Sequence, residues 1–364
     1  MGIHGGGKRK MKRLNVAILG QGRSGLDIHG AYFLTDPDRF RVAAVVDALP
    51  ERREKAERLF GCDTYGDYTG LFGRDDIDLV VNALPSHFHP PVTGDLLAHG
   101  FNVMTEKPMA KTPEQADEMM AAAEKSGKTL AVFQQSRFAS YFLKVREVID
   151  SGVLGRIVQI TIRFSGFARR WDWQTVQEYG AGNLYNTGPH PVDQALTLLA
   201  YDGMPDIFCK MDRANTFGDA EDYVKLVLTA PDRPLIDVEI SSCDAYPGPV
   251  YNVQGTRGGL SGDMTALHWR YFRENEAPEQ RLIRTPLMKE DGSPAYCSEK
   301  LAWHEDSWKA DENDTPFTTA VRRMYDTVYA HLTDGAPLVV TPGQVKKQIA
   351  VMRKCHEMNP LSEG

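Results

Sequence analysis

Lys107 is the residue whose presence is hardest to explain as ordinary structure. It stands in Thr105-Glu106-Lys107-Pro108, directly after the short apolar run Phe101–Met104. A buried strand end in an α/β protein seldom needs a cation, yet ligands of open α/β sheets bind just beyond the carboxyl ends of the strands. A lysine in that crevice can hold a ribose hydroxyl and a substrate hydroxyl together. The tetrapeptide alone fits an exposed turn with a loop-starting proline equally well.

A second group of residues tilts that balance. Gly20-Gln-Gly22-Arg23-Ser24-Gly25 follows the apolar run Leu14–Leu19 and leads into a helical segment. In that context the three glycines divide the work of a tight turn, close approach to a pyrophosphate and close helix–strand packing. The helix start, with Arg23 and Ser24 in it, faces the phosphates. The glycine pattern alone is weak; Asp47, 22 residues after Gly25, strengthens it. Asp47 at a strand end accepts ribose hydroxyls and repels a 2′-phosphate, which favours NAD over NADP. Arg52 and Arg53 argue the other way, although their place on the following helix suggests that they face solvent. Pro85-Ser-His87-Phe-His89 ends another apolar run. No third ligand at a suggestive spacing supports a metal there, so Pro85 and His89 are assigned to cofactor-adjacent packing and no metal is expected.

These residues need a frame. Runs at Leu14–Leu19, Arg41–Val46, Asp78–Leu84, Phe101–Met104 and Thr129–Phe133 alternate with helical segments. Continuous apolar strands between helices mean a parallel sheet covered on both faces. Thr112-Pro113 with Gln115 reads as a capping box that starts one of those helices. After Gln135 the pattern changes: Ile157–Phe164 alternates as a half-buried strand does, and further strands are expected at Tyr223–Leu228, Leu235–Ile240 and Val250–Gln254. Helices are expected at Tyr141–Ser151, Pro191–Leu199, Phe317–Leu332 and Gln344–Glu357. The fold class is therefore α/β: a flexible basic tail at 1–13, a Rossmann dinucleotide-binding domain at 14–135, and at 136–364 an α/β domain with an open, mostly antiparallel sheet. The last helix is free to pack back on the first domain.

Bulk properties narrow the function. The 364 residues are 42% hydrophobic and 25% charged, with a net charge of −7, which disfavours general nucleic-acid or membrane-surface binding. The tail has no apolar core of a signal peptide. Five scattered cysteines form neither a disulfide framework nor a zinc site, and a reducing cytoplasm is the expected location.

The ordered set Gly20–Gly25, Asp47, Pro85–His89, Glu106-Lys107-Pro108, Gly152–Arg156, Asn186-Thr-Gly-Pro-His190-Pro-Val-Asp193 and Thr341-Pro342 resembles the glucose-fructose oxidoreductase / inositol dehydrogenase / rhizopine-catabolism (Gfo/Idh/MocA) oxidoreductases, over nearly the whole chain. The resemblance implies a nicotinamide cofactor, contacted by Glu106 and Lys107 among others. It further implies redox chemistry at a hydroxyl of a sugar, polyol or related ring, with Lys107 and His190 at the reacting carbon. It also implies oligomer contacts through the second sheet. The physical case agrees. Removing hydride from a secondary alcohol requires its proton to leave; a histidine can take it near neutral pH, and a lysine cation can stabilise the developing alkoxide. A histidine capping the helix after Gly188-Pro189 is the structural alternative for His190. One departure is evident: the family usually has Asp-x-Gly-x-His, and here Asn186 replaces the acid. An amide can only orient a substrate hydroxyl or His190. Asp193, one helical turn beyond His190, could hold the imidazole, bind substrate or simply start the helix.

Between the motifs lies Arg169-Arg-Trp171-Asp-Trp173. Read as a strand, it puts Trp171 and Trp173 on one side, where indole faces suit the C–H faces of a sugar or an aromatic aglycone; core packing explains them equally well. Arg169 and Trp173 are thus candidate substrate contacts, with Asn186 and Asp193. The leading expectation is an NAD-dependent oxidoreductase acting on a sugar, polyol or glycoside, including glycoside 3-oxidation. A glycoside-cleaving enzyme that retains NAD through oxidation, elimination and reduction is the second, and a non-catalytic NAD-binding sensor the third.

Overall fold

The computed structural model describes residues 11–312 and 315–361. The expected basic tail therefore lies outside the described residues except for its last three positions. Six strands, β1 (Leu14–Leu19), β2 (Phe40–Val46), β3 (Asp63–Tyr65), β4 (Leu79–Asn82), β5 (Val103–Thr105) and β6 (Leu130–Val132), form a parallel sheet ordered β3-β2-β1-β4-β5-β6. Its central strands are buried almost throughout, as helices on both faces require. Strand order reverses between β1 and β4, and at such a reversal the flanking loops part to leave a crevice. The loops after β1 and β4 carry Gly20 and Ala83.

The second sheet has eight strands: β7 (Ile157–Ser165), β8 (Asp206–Asp212), β9 (Tyr223–Thr229), β10 (Leu235–Ser241), β11 (Tyr251–Gly255), β12 (Gly258–Gly262), β13 (Ala266–Tyr271) and β14 (His304–Lys309). Their order is β14-β13-β12-β11-β7-β10-β9-β8, antiparallel apart from β7 beside β10. Burial alternates residue by residue along β9 and β10: one face packs on helices and the other stays open. Strand β3, strand β8 and the β12–β13–β14 edge were not expected from the sequence. Gly258, Gly259 and Gly262 give β12 no apolar alternation, and β14 is polar. The Arg169–Trp173 segment is no strand either. It leads into a tight turn at Trp173–Thr175, so the side chains of Trp171 and Trp173 do not share a pleat.

The helix Pro189–Leu199 lies in the seam between the sheets, and buried polar groups hold it there. The Arg137 guanidinium grips both oxygens of Asp193, its Nε 2.9 Å from Oδ2, and both side chains are almost wholly buried. Gln194 bridges the Ser136 carbonyl and the Tyr251 hydroxyl. The Pro189 carbonyl accepts from two amides, Gln134 after β6 and Gln348 of the last helix, Pro342–Met358. That last helix starts with a capping box on Thr341 and Gln344, and Gln344 also accepts from Arg137 at 2.5 Å. No helix among the described residues is long and apolar enough to cross a membrane.

Removing one member of a buried ion pair strands the other. Asp193→Ala should lower the unfolding free energy in urea by about 3–5 kcal/mol. Lys346→Ala, which breaks the solvent-exposed pair with Asp117, should change it by less than about 1 kcal/mol.

Candidate functional site

At the crevice, Gly20 has φ +84°, and a Cβ there would sit 2.7 Å from the Ala83 carbonyl oxygen. A Cβ on Gly25 would fall 1.8 Å from the Gly20 oxygen, whereas one on Gly22 would meet nothing within 4 Å. Two glycines thus close the loop against the sheet, and the third leaves open space over the start of helix Arg23–Gly30, which is wound with π-type bonds before it continues as Ala31–Thr35. That is room for a pyrophosphate facing unpaired amides, with Ser24 half-buried and Arg23 exposed in the first turn. Asp47 follows β2 and is buried; its carboxylate accepts from the Gln21 and Leu49 amides at 2.7 and 2.9 Å. The crevice therefore fits a dinucleotide by shape and by polarity.

Arg52 keeps its expected exposure to solvent, whereas Arg53 is half-buried. Arg52 lies 3.4 Å from the Asp47 carboxylate, and Arg53 folds back on the Asp47 and Ala48 carbonyls at 2.7 and 2.9 Å. The Asp47 and Ala48 carbonyls at the end of β2 draw the Arg53 guanidinium inward. The ribose end of the crevice thus holds cations as well as the acid.

Around Lys107 the order is tighter. Its ammonium donates to the Asn186 carbonyl at 2.9 Å, which bridges the two sheets. Burial pushes its pKa down, the neighbouring Glu106 opposes this, and Arg23 adds to it. Glu106, expected at the cofactor, is instead buried behind the lysine. Its Oε2 accepts from the Lys107 amide at 2.9 Å, and its Oε1 lies 3.3 Å from Nε2 of the fully buried His29. Burial raises the Glu106 pKa, but His29 and Lys107 outweigh that and bring it to about 2. His29 in turn meets the Tyr325 hydroxyl through Nδ1 at 2.7 Å. His89 is likewise not open to a cofactor: its ring nitrogens reach the Pro108 and Leu84 carbonyls at 2.7 and 2.8 Å. It ties the loop after β4 to the Lys107–Pro108 segment. Pro85 is exposed beside it.

His190 begins the seam helix, half-buried, with Nδ1 enclosed and without a partner. Burial, aided by the Lys107 cation and opposed by Glu106, holds the imidazole well below the ordinary histidine range. It is neutral at pH 7. Asp193 does not orient it or reach substrate, because Arg137 takes both its oxygens. Asn186 is placed beside the lysine, but its side-chain amide donates to the Gln174 carbonyl at 3.0 Å.

Gln174 belongs to a strap, residues 166–182, which crosses from one sheet to the other. Tyr179 packs near His87 with ring centroids 5.7 Å apart, and Lys111 donates to the Gln177 carbonyl at 3.2 Å. The strap bears Trp171, 79% exposed, and Trp173, 45% exposed. Arg169 lies over the Phe217 ring at 6.0 Å. The aromatic fringe is thus on the surface beside the site and not in the core. His29, Tyr325, Gln134, Arg137 and Gln348 were missed by sequence reasoning. Only a histidine inside the first helix, four residues beyond the last loop glycine, was a usable signal; the others meet the site solely through folding.

A model described as the oxidoreductase family with an NAD-binding Rossmann fold matches residues 14–134, and one for the GFO/IDH/MocA C-terminal domain matches 142–261. An uncharacterized oxidoreductase of Schizosaccharomyces pombe is 31% identical over 262 residues, 69% of this chain and 70% of the relative. D-glucoside 3-dehydrogenase of Escherichia coli is 34% identical over 200 residues, 53% of this chain and 56% of the relative. Among solved structures, GenD2 from gentamicin A biosynthesis in complex with NAD superposes with a TM-score of 0.73 at 20% identity, over 98% of this chain and 97% of that one. At that identity the likeness is one of fold.

The depressed His190 pKa has a signed consequence. Below the unfolded value of about 6.5 the unfolded chain binds a proton there that the folded protein does not. The His190 contribution to stability is therefore complete above that pH and is lost as pH falls below it. A comparison of wild type with His190→Asn between pH 8 and pH 5 should show a thermal midpoint that falls less in the variant.

Proposed function

The chain belongs to the GFO/IDH/MocA family of oxidoreductases, and on that premise we propose that it transfers hydride between NAD and a ring hydroxyl of a sugar, polyol or glycoside. The observation that carries this reading is Lys107. A partly desolvated ammonium is held at the end of β5, beside a neutral imidazole and next to a crevice shaped for a dinucleotide.

A bound nicotinamide supplies the hydride acceptor. The rest is the work of this chain. Lys107 binds the substrate hydroxyl and stabilises negative charge as it builds on that oxygen. His190 takes the hydroxyl proton at a ring nitrogen; being neutral at pH 7, it needs no prior deprotonation. Asn186 carries no charge, so it positions and does not exchange protons. Glu106 keeps its carboxylate behind the lysine, with Nε2 of His29 3.3 Å from it. The strap, with Trp171 and Trp173 beside the site, favours a substrate with an apolar face, such as a glycoside. Asp47 supports NAD, and Arg52 and Arg53 lower the discrimination against a 2′-phosphate.

We also infer a homo-oligomer built on the second sheet. A concavity of about 830 Å³ along β11–β14 is lined by Phe272 and Trp303 among polar groups such as Arg257, Arg270 and Asp306. The excursion between β13 and β14 extends Leu282 and Tyr296 into solvent, 80% and 90% exposed. Large apolar side chains this exposed support an interface between copies at that edge.

Purified protein should bind nicotinamide, and a panel of sugars, polyols and aryl glycosides should include a member that changes the absorbance near 340 nm. Lys107→Ala should lose turnover about 100-fold or more while cofactor affinity stays within a few-fold. Normal turnover by that variant overturns the site. Glycoside cleavage without net redox change moves the reading to the redox-neutral route, and absence of nicotinamide binding removes the cofactor assignment. Light scattering should report a mass above that of one 40.6 kDa chain; a monomer at micromolar concentration sinks the oligomer.

A further inference from the structure

We propose that Glu221, a residue outside the cofactor crevice and away from the reacting groups, positions Lys107. The link runs through one turn of helix, Asn183–Asn186. Glu221 Oε1 accepts from the Leu184 amide at 2.8 Å, and its backbone oxygen accepts from the Asn183 amide at 2.9 Å. The first amides of the turn are thereby satisfied from the sheet side. Asn183 is held further by the Asp222 carbonyl and the Ser242 hydroxyl, at 2.6 and 3.0 Å. At the other end of the same turn the Asn186 carbonyl receives the Lys107 ammonium. Moving the start of so short an element moves its end, because one turn has no length in which to absorb a shift.

The surroundings of the carboxyl group are built for it. A Cβ on Gly182 would fall 2.4–2.5 Å from its atoms, so a glycine is needed for the group to lie there. Glu221 is 1% exposed, and its Oε2 is buried without a partner. It lines a cavity of about 10 Å³ bordered by Arg170, Gln174, Asn183 and Asp222, room for about one water. Burial lifts the carboxyl to about 7, with the Leu184 amide opposing and Asp222 assisting. Tyr185 and Cys355 are the other titratable groups in electrostatic reach of it. Those facing Lys107 are Glu106, Arg23, His190 and His89. Among the described residues Glu221 makes no direct hydrogen bond or ion pair with Lys107. Glu221 is therefore a positioning residue and not a catalytic one. This inference rests on Lys107 being the charge-handling group of the proposed reaction.

The test follows Lys107 itself. Protein labelled with [ε-13C]lysine is titrated by NMR, with the Lys107 resonance identified by its loss in Lys107→Ala, and hydride-transfer kinetics are run in parallel. In Glu221→Leu the ammonium loses a well-placed acceptor, so its pKa should fall by about half a unit or more. In the same variant kcat should fall about tenfold, with KM changed by less than about twofold. Glu221→Gln, whose amide oxygen can still accept from Leu184, should restore both. A folded Glu221→Leu protein with an unchanged Lys107 titration overturns the proposal. If that variant does not fold, Glu221→Asp decides, because its shorter side chain draws the carboxyl away from the Leu184 amide while leaving it present; the same shift is expected and its absence is equally fatal. If wild type transfers no hydride, the oxidoreductase reading fails, while the Lys107 titration still decides the role of Glu221.

Discussion

Burying the Asp193 carboxylate is tolerable only with the Arg137 guanidinium against it, and most of the site depends on that requirement. Arg137 follows β6 of the parallel sheet, and Asp193 lies on the helix that serves the second sheet. Satisfying both charges sets where the helix lies along the seam. The grip of Gln134 and Gln348 on the Pro189 carbonyl then sets the helix start, because a carbonyl with two donors has little freedom to turn. His190 is the next residue. Its closeness to Lys107, which belongs to the other sheet, follows from interactions that touch neither residue.

The electrostatics of the site are arranged in depth. Lys107 is desolvated, which alone would favour its neutral form; Glu106 behind it and the Asn186 carbonyl ahead of it favour the cation. His190 feels burial and the same cation, both of which keep it neutral. One group is thus kept charged by its partners, and the other is kept neutral by its neighbour. That division suits a reaction in which a proton must leave as negative charge builds on oxygen. Replacement of an acid by Asn186 fits it, since an added carboxylate beside Lys107 would offset the cation and raise the imidazole pKa.

The ribose end and the strap show how neighbouring residues broaden what a motif implies. Asp47 is the acid that a dinucleotide site needs, yet the exposed Arg52 lies 3.4 Å from its carboxylate and Arg53 folds onto the backbone carbonyls at the end of β2. The strap tryptophans carry aromatic surface to solvent, where core packing had been an equal reading.

Much of the architecture was determined by the amino-acid sequence alone. Uninterrupted apolar runs specify the parallel sheet, since only a strand covered on both faces is apolar at every position. The glycine spacing specifies the crevice, since a side chain at Gly25 has no space. The Thr112 capping box marks a helix start, because Thr112 and Gln115 satisfy one another locally; the like box on Thr341 and Gln344 starts the last helix two residues before its expected start. Strands β12 and β14 were not legible, being glycine-rich or polar, and formed by pairing with neighbours. The inward turn of His89 and Glu106, the capture of Asp193 by Arg137 and the place of Glu221 under the Asn183–Asn186 turn were decided only by tertiary structure. Each is a buried polar group whose partner lies far away in the chain or on the other side of a turn. Local sequence states that such a group exists; it does not state what will be there to satisfy it.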